Sequence, residues 1–400
     1  MPRNIRVVEV DEFAGQNLGS DDSWPDHRSS SSESIASELD ANAASIEPSL
    51  LVFPPYYFPA DPSLQEWIVA VDGFACRPGS EKRLTTRWSI AMMGKLMRAK
   101  PHELQEPLFL GRVAPFIAVG LKKLEVSVRI GLRRFRLGKR TNGRGAFRGR
   151  IRLTASELCR ALEINVPQGA TAGEVLNARQ LPLPVEVAVT PSVTPSKSCL
   201  AVKIPWSGWS VISDIDDTIK DSQVSPLRQL LANTFLREFR SVEGMADLYR
   251  DWAAAGCQFH YVSSSPWQLL NPLQQLCNEQ QFPSGTFHLR TFRLGTDLMR
   301  KMLLLRQRGK AIVIHSLLST FPSRKFLLVG DSGERDPEIY CRAAQRFPNQ
   351  IQGIYIRDVA TKRMTRRRLE KLTEKLKPGL CRTFNDADEL GEMSKRHLWE

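Results

Sequence analysis

Three short apolar runs in the second half of the chain each end in residues able to do chemistry. Val211, Ile212 and Ser213 lead into Asp214-Ile215-Asp216-Asp217-Thr218. Phe259-His260-Tyr261-Val262 leads into Ser263-Ser264-Ser265, and Phe326-Leu327-Leu328-Val329 into Gly330-Asp331-Ser332-Gly333-Glu334-Arg335-Asp336. Brought to one place, these carboxylates would repel one another and partly protonate. A hard divalent cation removes that conflict, and Mg2+ prefers carboxylate and carbonyl oxygens while keeping several waters. A metal beside a nucleophilic carboxylate points to phosphoryl transfer. At the end of its run, Asp214 can bind the metal through one oxygen and attack phosphorus with the other, forming a covalent intermediate. Asp216, two residues on, points to the same side of an extended segment. It can protonate a leaving alkoxide and later deprotonate water, and it joins Asp214, Asp331 and Asp336 as a candidate metal ligand. Ser263 can hydrogen-bond a phosphoryl oxygen, and a lysine is needed against the charge of the transferred group. The competing readings are an Asp-rich helix N-cap at 214–218 and a plain loop after a strand at 263–265.

Strands are needed to deliver these residues. Runs 211–213, 259–263, 325–330 and 351–356 read as buried strands. Helical patterns lie between them at 272–280, 298–306 and 311–318, with another extending to residue 248. Strands alternating with helices imply a parallel sheet covered on both faces, and such sheets bind ligands beyond the carboxyl ends of their strands. Residues 59–205 follow a different period. Leu124, Val126, Val128 and Ile130 alternate with Glu125, Ser127 and Arg129, and Phe147, Gly149, Ile151 and Leu153 alternate with Arg148, Arg150 and Arg152. Thr141-Asn142-Gly143 marks a turn between them, and Val185, Val187 and Val189 form a further short strand. The expectation is a β-rich, sandwich-like domain over 59–205, interrupted by a helix at 87–100, followed by an α/β domain over 206–400. The arginines fall on the outward side of the alternation, which would make one sheet face strongly positive.

Composition narrows the setting. The formal charge is +13, unevenly placed: the first sixty residues are acidic, while 122–152 and 362–377 are strongly basic. Such a surface suits nucleic acid, anionic headgroups or phosphorylated substrates, or is simply a solvated face. Few aromatics interleave with the basic stretch to stack on bases, so no nucleic-acid partner is expected. Residues 15–50 are rich in Ser, Asp and Glu and cannot bury enough surface to offset their ordering entropy, which makes 1–58 an expected disordered tail. Seven cysteines without a CxxC pair and six dispersed histidines argue against a zinc site or disulfide framework and for a reduced compartment. No tract of about 18 apolar residues is present to span a bilayer, and the N-terminus lacks the apolar core of a secretory signal.

SDIDDTIK (213–220), YVSSSPWQL (261–269), FHLRTF (287–292) and KFLLVGDSGERDPEIY (325–340) together resemble the actin-patch-protein type of phosphatidate phosphatase, a family of the haloacid dehalogenase superfamily. The resemblance covers roughly 205–360. It implies a dehalogenase-like Rossmannoid sheet and Mg2+-dependent release of phosphate from phosphatidate, leaving diacylglycerol. By motif position Asp214 would be the nucleophile, Asp216 the acid/base, Ser263 and Thr218 the phosphate-binding hydroxyls, and Asp331 with Asp336 the metal pair. Lys310, before the helix at 311–318, is the choice for the third-motif lysine. Lys325 is its rival, and Lys220 is placed on the surface. Such an enzyme would be cytoplasmic and dock peripherally on anionic lipid, through Arg133, Arg134, Arg136, Arg148 and Arg150 at about 1 kcal/mol per basic residue. Trp206, Trp209 and Trp267 could lie at that interface or pack in the interior. The alternatives are a phosphoprotein or soluble phosphomonoester as substrate, and a non-catalytic scaffold that binds membrane or partners.

Overall fold

The computed structural model describes residues 48–77, 84–191, 194–222, 227–290, 308–359 and 366–398. The helix expected at 298–306 and residues 1–47 of the expected tail lie outside them. The remainder of that tail segment is partly strand, because β1 (Ser49–Val52) and β2 (Tyr56–Pro59) both pair with β3 (Glu66–Arg77).

The β-rich unit continues with β4 (Val119–Gly120), β5 (Glu125–Ile130), β6 (Arg133–Arg136), β7 (Ala146–Thr154), β8 (Leu183–Thr190) and β9 (Lys197–Lys203). The order β1-β3-β2-β9-β8-β5-β6, with β4 and β7 also on β3, makes one nine-stranded sheet. Among the described residues its two halves pair through a short parallel ladder, Tyr56 opposite Val202 and Tyr57 opposite Lys203. Both halves bury their inward residues in one core: Trp67, Val69, Val71, Phe147, Ile151 and Leu153 meet Val126, Val128, Ile130, Val185, Val187 and Val189. The period-two patterns therefore hold. The single positive face does not. Arg148 and Arg150 lie on β7, paired to β3, whereas Arg133, Arg134 and Arg136 lie on β6, paired to β5. Since the two halves turn their inner faces to one core, Arg148 and Arg150 occupy a different outer surface from Arg134 and Arg136, while Arg133 lies on the side of Phe135, which packs on the core.

The second unit is a six-stranded, all-parallel sheet of β10 (Gly208–Ser213), β11 (Gln258–Pro266), β12 (Gly285–Arg290), β13 (Arg324–Asp331), β14 (Ile351–Arg357) and β15 (Cys381–Phe384), in the order β12-β11-β10-β13-β14-β15. Neighbouring strand residues point to opposite faces. Val211, Tyr261, Leu327 and Val329 pack with Met245, Tyr249, Trp252 and Leu273 on one side. Ile212, Val262, Phe326 and Leu328 pack with Ile314, Leu318, Tyr340 and Ala344 on the other. The chain starts at β10, runs outward to β12, then crosses back to β13, so the order reverses between β10 and β13. Doubly wound sheets open a ligand crevice at that point.

In chain order the helices are α1 (Leu84–Met97), α2 (Pro107–Ile117), α3 (Ala155–Ala161), α4 (Ala172–Ala178), α5 (Leu227–Phe235), α6 (Met245–Ala254), α7 (Leu270–Glu279), α8 (Arg308–Thr320), α9 (Asp336–Arg346), α10 (Arg366–Thr373) and α11 (Ala387–Leu398). The helix expected at 87–100 is α1. With α2 it leaves the β-rich unit between β3 and β4, and Met93, Met97, Phe109, Leu110, Val113 and Phe116 share a core with Leu231 and Phe235 of α5. The two units are joined elsewhere too. Phe74 stacks on Trp267 with ring centroids 4.0 Å apart and planes 8° from parallel, so Trp267 is an interior contact and is not available to lipid. Trp209 is half-buried, with the Lys325 ammonium 5.5 Å above its ring.

Arg324 fixes the junction. Its guanidinium is fully buried and donates to the carbonyls of Pro205 (2.8 Å), Ser207 (2.5 Å) and Trp209, and to Ser210 Oγ (2.8 Å). Burial pulls its pKa down to about 10, still a cation at neutral pH. Replacing it by leucine strands these buried acceptors, at about 1–3 kcal/mol for an unsatisfied group. Arg324→Leu is expected to lower stability by about 2–4 kcal/mol, measured as the shift in a urea unfolding midpoint.

Candidate active site

Backbone pairing sets the two central carboxylates side by side. Ser213 lies opposite Val329 in the β10–β13 ladder, and the Asp214 N–H extends the ladder by donating to Val329 O at 2.9 Å. Asp214 therefore leaves β10 where Asp331 closes β13. Asp336 opens α9 and folds back beneath them. A Cβ on Gly330 would lie 2.2 Å from Asp336 Oδ2, so only glycine lets this carboxylate sit against the strand. Lys310, in the first turn of α8, reaches in from the other sheet neighbour. Its Nζ donates to Asp214 Oδ1 at 2.6 Å and to Asp336 Oδ1, with all three side chains essentially excluded from solvent. Lys325 is exposed at the start of β13 and does not enter.

Oxygens of Asp214, Asp331 and Asp336 lie within 4.8 Å of one another. Burial first, and then the neighbouring carboxylates, push the Asp214 and Asp331 acids well above the ordinary range, against the opposing pull of Lys310. Burial alone would lower Lys310, but Asp214 and Asp336 outweigh it and hold the ammonium well above its usual value. Asp331 Oδ1 accepts N–H bonds from Gly333 (2.6 Å) and Glu334 (2.9 Å). Among the described residues, Asp214 Oδ2, Asp331 Oδ2 and Thr218 Oγ1 are buried with no hydrogen-bond partner. Buried polar atoms are seldom left so, and two orphaned carboxylate oxygens facing a third acid are the donor set a divalent cation takes. A metal fits this cluster.

Asp216 is brought to the same rim, but its side chain is held apart from the trio. Oδ1 accepts from Lys220 Nζ (2.8 Å) and Ser222 Oγ (2.8 Å), and Oδ2 from Ser263 Oγ (3.1 Å) and Ser265 Oγ (2.7 Å). Burial would raise this acid, yet Lys220 and the hydroxyl donors hold it well below the carboxylate range. The turn that aims it rests on Ile215 O, which accepts from Ile219 and Lys220 N–H, and on Asp217 at φ +55°, a left-handed position that Asp tolerates better than most residues. Lys220 is thus no surface residue: it is 2% exposed and paired to Asp216. It, Ser222 and Ser265 are the site residues that sequence reasoning missed. The available signal was spacing, since a lysine four residues after an acid across a tight turn can return to it. Ser263 stands at the rim as expected, although its hydroxyl is engaged with Asp216.

A parallel α/β unit with buried aspartates and two buried lysines, Lys220 and Lys310, at its topological switch point is the class of site defined here. Residues 209–358 match the family model described as the catalytic domain of phosphatidate phosphatase APP1. The chain is 38% identical over 155 residues to the phosphatidate phosphatase APP1 of Saccharomyces cerevisiae, covering 38% of this chain and 26% of that one. It is 33% identical over 157 residues to an uncharacterised protein of Schizosaccharomyces pombe, with the same shares covered. The match spans about a quarter of the length of these relatives. Over that region it bears out the family resemblance carried by the motifs.

Removing one acid separates charge repulsion from metal binding. Asp331→Asn is expected to stabilise the metal-free protein by relieving like charges, and to lose the rise in melting temperature on adding a divalent cation. For an intact site that rise corresponds to about 2.7 kcal/mol at a hundredfold excess over Kd. Thermal melts with and without the cation give both signs.

Proposed function

We propose that the chain is a Mg2+-dependent phosphatidate phosphatase with a haloacid-dehalogenase-like catalytic domain over 206–400, releasing phosphate and diacylglycerol through an aspartyl-phosphate on Asp214. The observation that supports this most directly is the convergence of Asp214, Asp331 and Asp336 around Lys310, with carboxylate oxygens left unpaired. Asp216, ionised beside Lys220 in the ligand-free site, first takes the proton of a singly protonated phosphate monoester. Asp214 then attacks phosphorus, the ester P–O bond breaks, and the electron pair leaves with the diacylglycerol oxygen, which takes that proton from Asp216. Water then attacks the acyl phosphate, gives its proton to Asp216 and frees Asp214. Lys310 fixes Asp214 and offsets charge on the phosphoryl oxygens. Thr218, whose hydroxyl is free, and Ser263, by exchanging its bond to Asp216, serve the phosphate. A bound Mg2+, held by Asp214, Asp331 and Asp336, would supply the positive charge that draws the phosphoryl oxygens into line.

Phosphatidate sits in a bilayer, so the protein must work at a lipid surface. Among the described residues no helix is long and apolar enough to cross a membrane; the phosphatidate reading itself is what makes the proposed enzyme a peripheral, cytoplasmic one. The β7 arginines are the better-placed basic set. The Arg150 guanidinium lies 5.9 Å from the Tyr56 ring, which is 6.4 Å from His288, and His288 pairs with Val262 beside Ser263.

Phosphate release from phosphatidate in mixed micelles, against a soluble phosphomonoester and a phosphopeptide, tests the substrate. Asp214→Asn and Asp216→Ala are each expected to lower turnover by about a thousandfold or more while melting as cooperatively as the parent. Undiminished turnover in either variant removes the mechanism.

A further inference from the structure

Four donors set the direction of the Asp216 carboxylate, and two of them, Lys220 and Ser222, belong to the segment that follows its turn. That segment is held from one side. The Asp221 N–H donates to Arg240 O at 2.8 Å and the Val242 N–H to Ile219 O at 2.9 Å. Asn233 of α5 donates to Ser222 O at 3.0 Å. What fixes α5 and residues 236–242 in turn is the α1–α2 pair sent across by the β-rich unit. Arg112 of α2, 7% exposed, donates to Thr234 O at 2.8 Å and to Arg237 O, and meets Glu238 at 3.3 Å. Its guanidinium lies 4.1 Å from the centroid of Phe239, and the Lys220 ammonium lies 4.4 Å from the same ring. Phe116 meets Phe235 edge-on at 5.3 Å, and Arg228 of α5 donates to Met97 O at 3.3 Å.

We propose that Arg112, acting through Phe239 and the 219–242 segment, is a positioning residue for proton transfer at Asp216; this rests on the phosphatase reading above. A cation is an expensive choice for this place. Glu238, its only carboxylate contact among the described residues, is three-quarters exposed, and a well-packed apolar side chain often stabilises a buried site at least as well. What the guanidinium adds is fixed geometry: one nitrogen, Nη1, bridging two backbone carbonyls at the end of α5, where the helix dipole favours a cation, and a flat face for Phe239. Displacing a proton donor by about 1 Å can cost about a hundredfold in rate. The helix pair is therefore part of the catalytic apparatus although it touches no reacting atom.

The leaving group distinguishes this role from general scaffolding. kcat/KM reports events up to formation of the aspartyl-phosphate. An alkoxide needs a proton in that step, whereas p-nitrophenolate departs without one. In the full-length protein, Arg112→Gln is expected to lower kcat/KM for a soluble alkyl phosphomonoester by about tenfold or more. For p-nitrophenyl phosphate the change should stay below about threefold. Phe239→Leu, which leaves both carbonyl contacts in place, should show the same selectivity and stands in should Arg112→Gln fail to fold. Hydrogen exchange at the Asp221 and Val242 amides should quicken in both variants, a readout independent of turnover. Equal losses on the two substrates, or none, overturn the proposal. Asp216→Ala in the same assay isolates the parent reading: without leaving-group selectivity Asp216 is not the acid, whereas a selective Asp216→Ala beside unselective Arg112→Gln and Phe239→Leu sinks the positioning role alone.

Discussion

Three carboxylates share a nearly dry pocket with one ammonium, and that imbalance governs the rest of the second unit. Lys310 bridges Asp214 and Asp336, cancelling one of three negative charges. The remainder equals the charge of one divalent cation, and the unpaired oxygens lie where such an ion would take them. Desolvated charges left uncompensated neutralise by protonation, which is the direction in which Asp214 and Asp331 are pushed. Everything that assembles the cluster must therefore be rigid before an ion arrives. The ladder sets Asp214 beside Asp331, the first turn of α9 supplies Asp336, Gly330 leaves room for it, and α8, packed on the same face as α9, carries Lys310 in. A flexible version of the same residues would spread its acids apart and bind a cation more weakly.

The same need for rigidity explains why the two units share so much interior. β3 has buried residues on both faces, because its inner side belongs to the β-rich core while Ala70, with Phe58 of β2, packs against Ile212, Leu318 and Phe326 of the α/β unit. Arg324 ties the linker to β13, and Phe74 lies flat on Trp267 just after the serines. The β-rich unit is thus a wall of the α/β unit. Contacts of this kind differ from the polar, sparse interfaces that allow domains to move independently.

How legible this was depended on the length of each apolar run and on whether packing partners were local. β10, β11, β13 and β14 are buried on both faces and read as near-continuous apolar stretches, so their carboxyl ends and the acids on them were apparent. β2 was not: its aromatic residues adjoin the Ser-rich tract and carry flanking prolines, the marks of a loop. CRTF (381–384) is too short to show a period, which hid β15, although the helix before it does pack Leu369 and Leu372 inward. α1 was visible as a helix, but nothing in its own sequence says which unit it joins, since a distant partner decides that. Lys220 failed for a related reason. A lysine in a turn is normally solvated, and only the return of the chain toward Asp216 and the ring of Phe239 makes it interior.

Charge is the last property that sequence order disguised. The basic stretch reads as one cationic face, yet its arginines are largely matched: Arg148 and Arg150 share Asp72, Arg136 and Arg140 share Glu125, and Arg129 holds Glu186. Where two arginines share one acid, one positive charge is left over and both guanidinium groups are held in place. Each outer surface thus keeps a modest excess of fixed positive charge in place of a dense polycation. Such a field acts over about a Debye length, about 8 Å at physiological salt, and is screened by added salt more readily than an inserted apolar anchor would be. On the phosphatidate reading, attraction to lipid through these surfaces would be weak, reversible and salt-sensitive. The β7 set, linked to β11 through Tyr56 and His288, would then serve to orient that side of the protein toward the bilayer more than to hold the protein there.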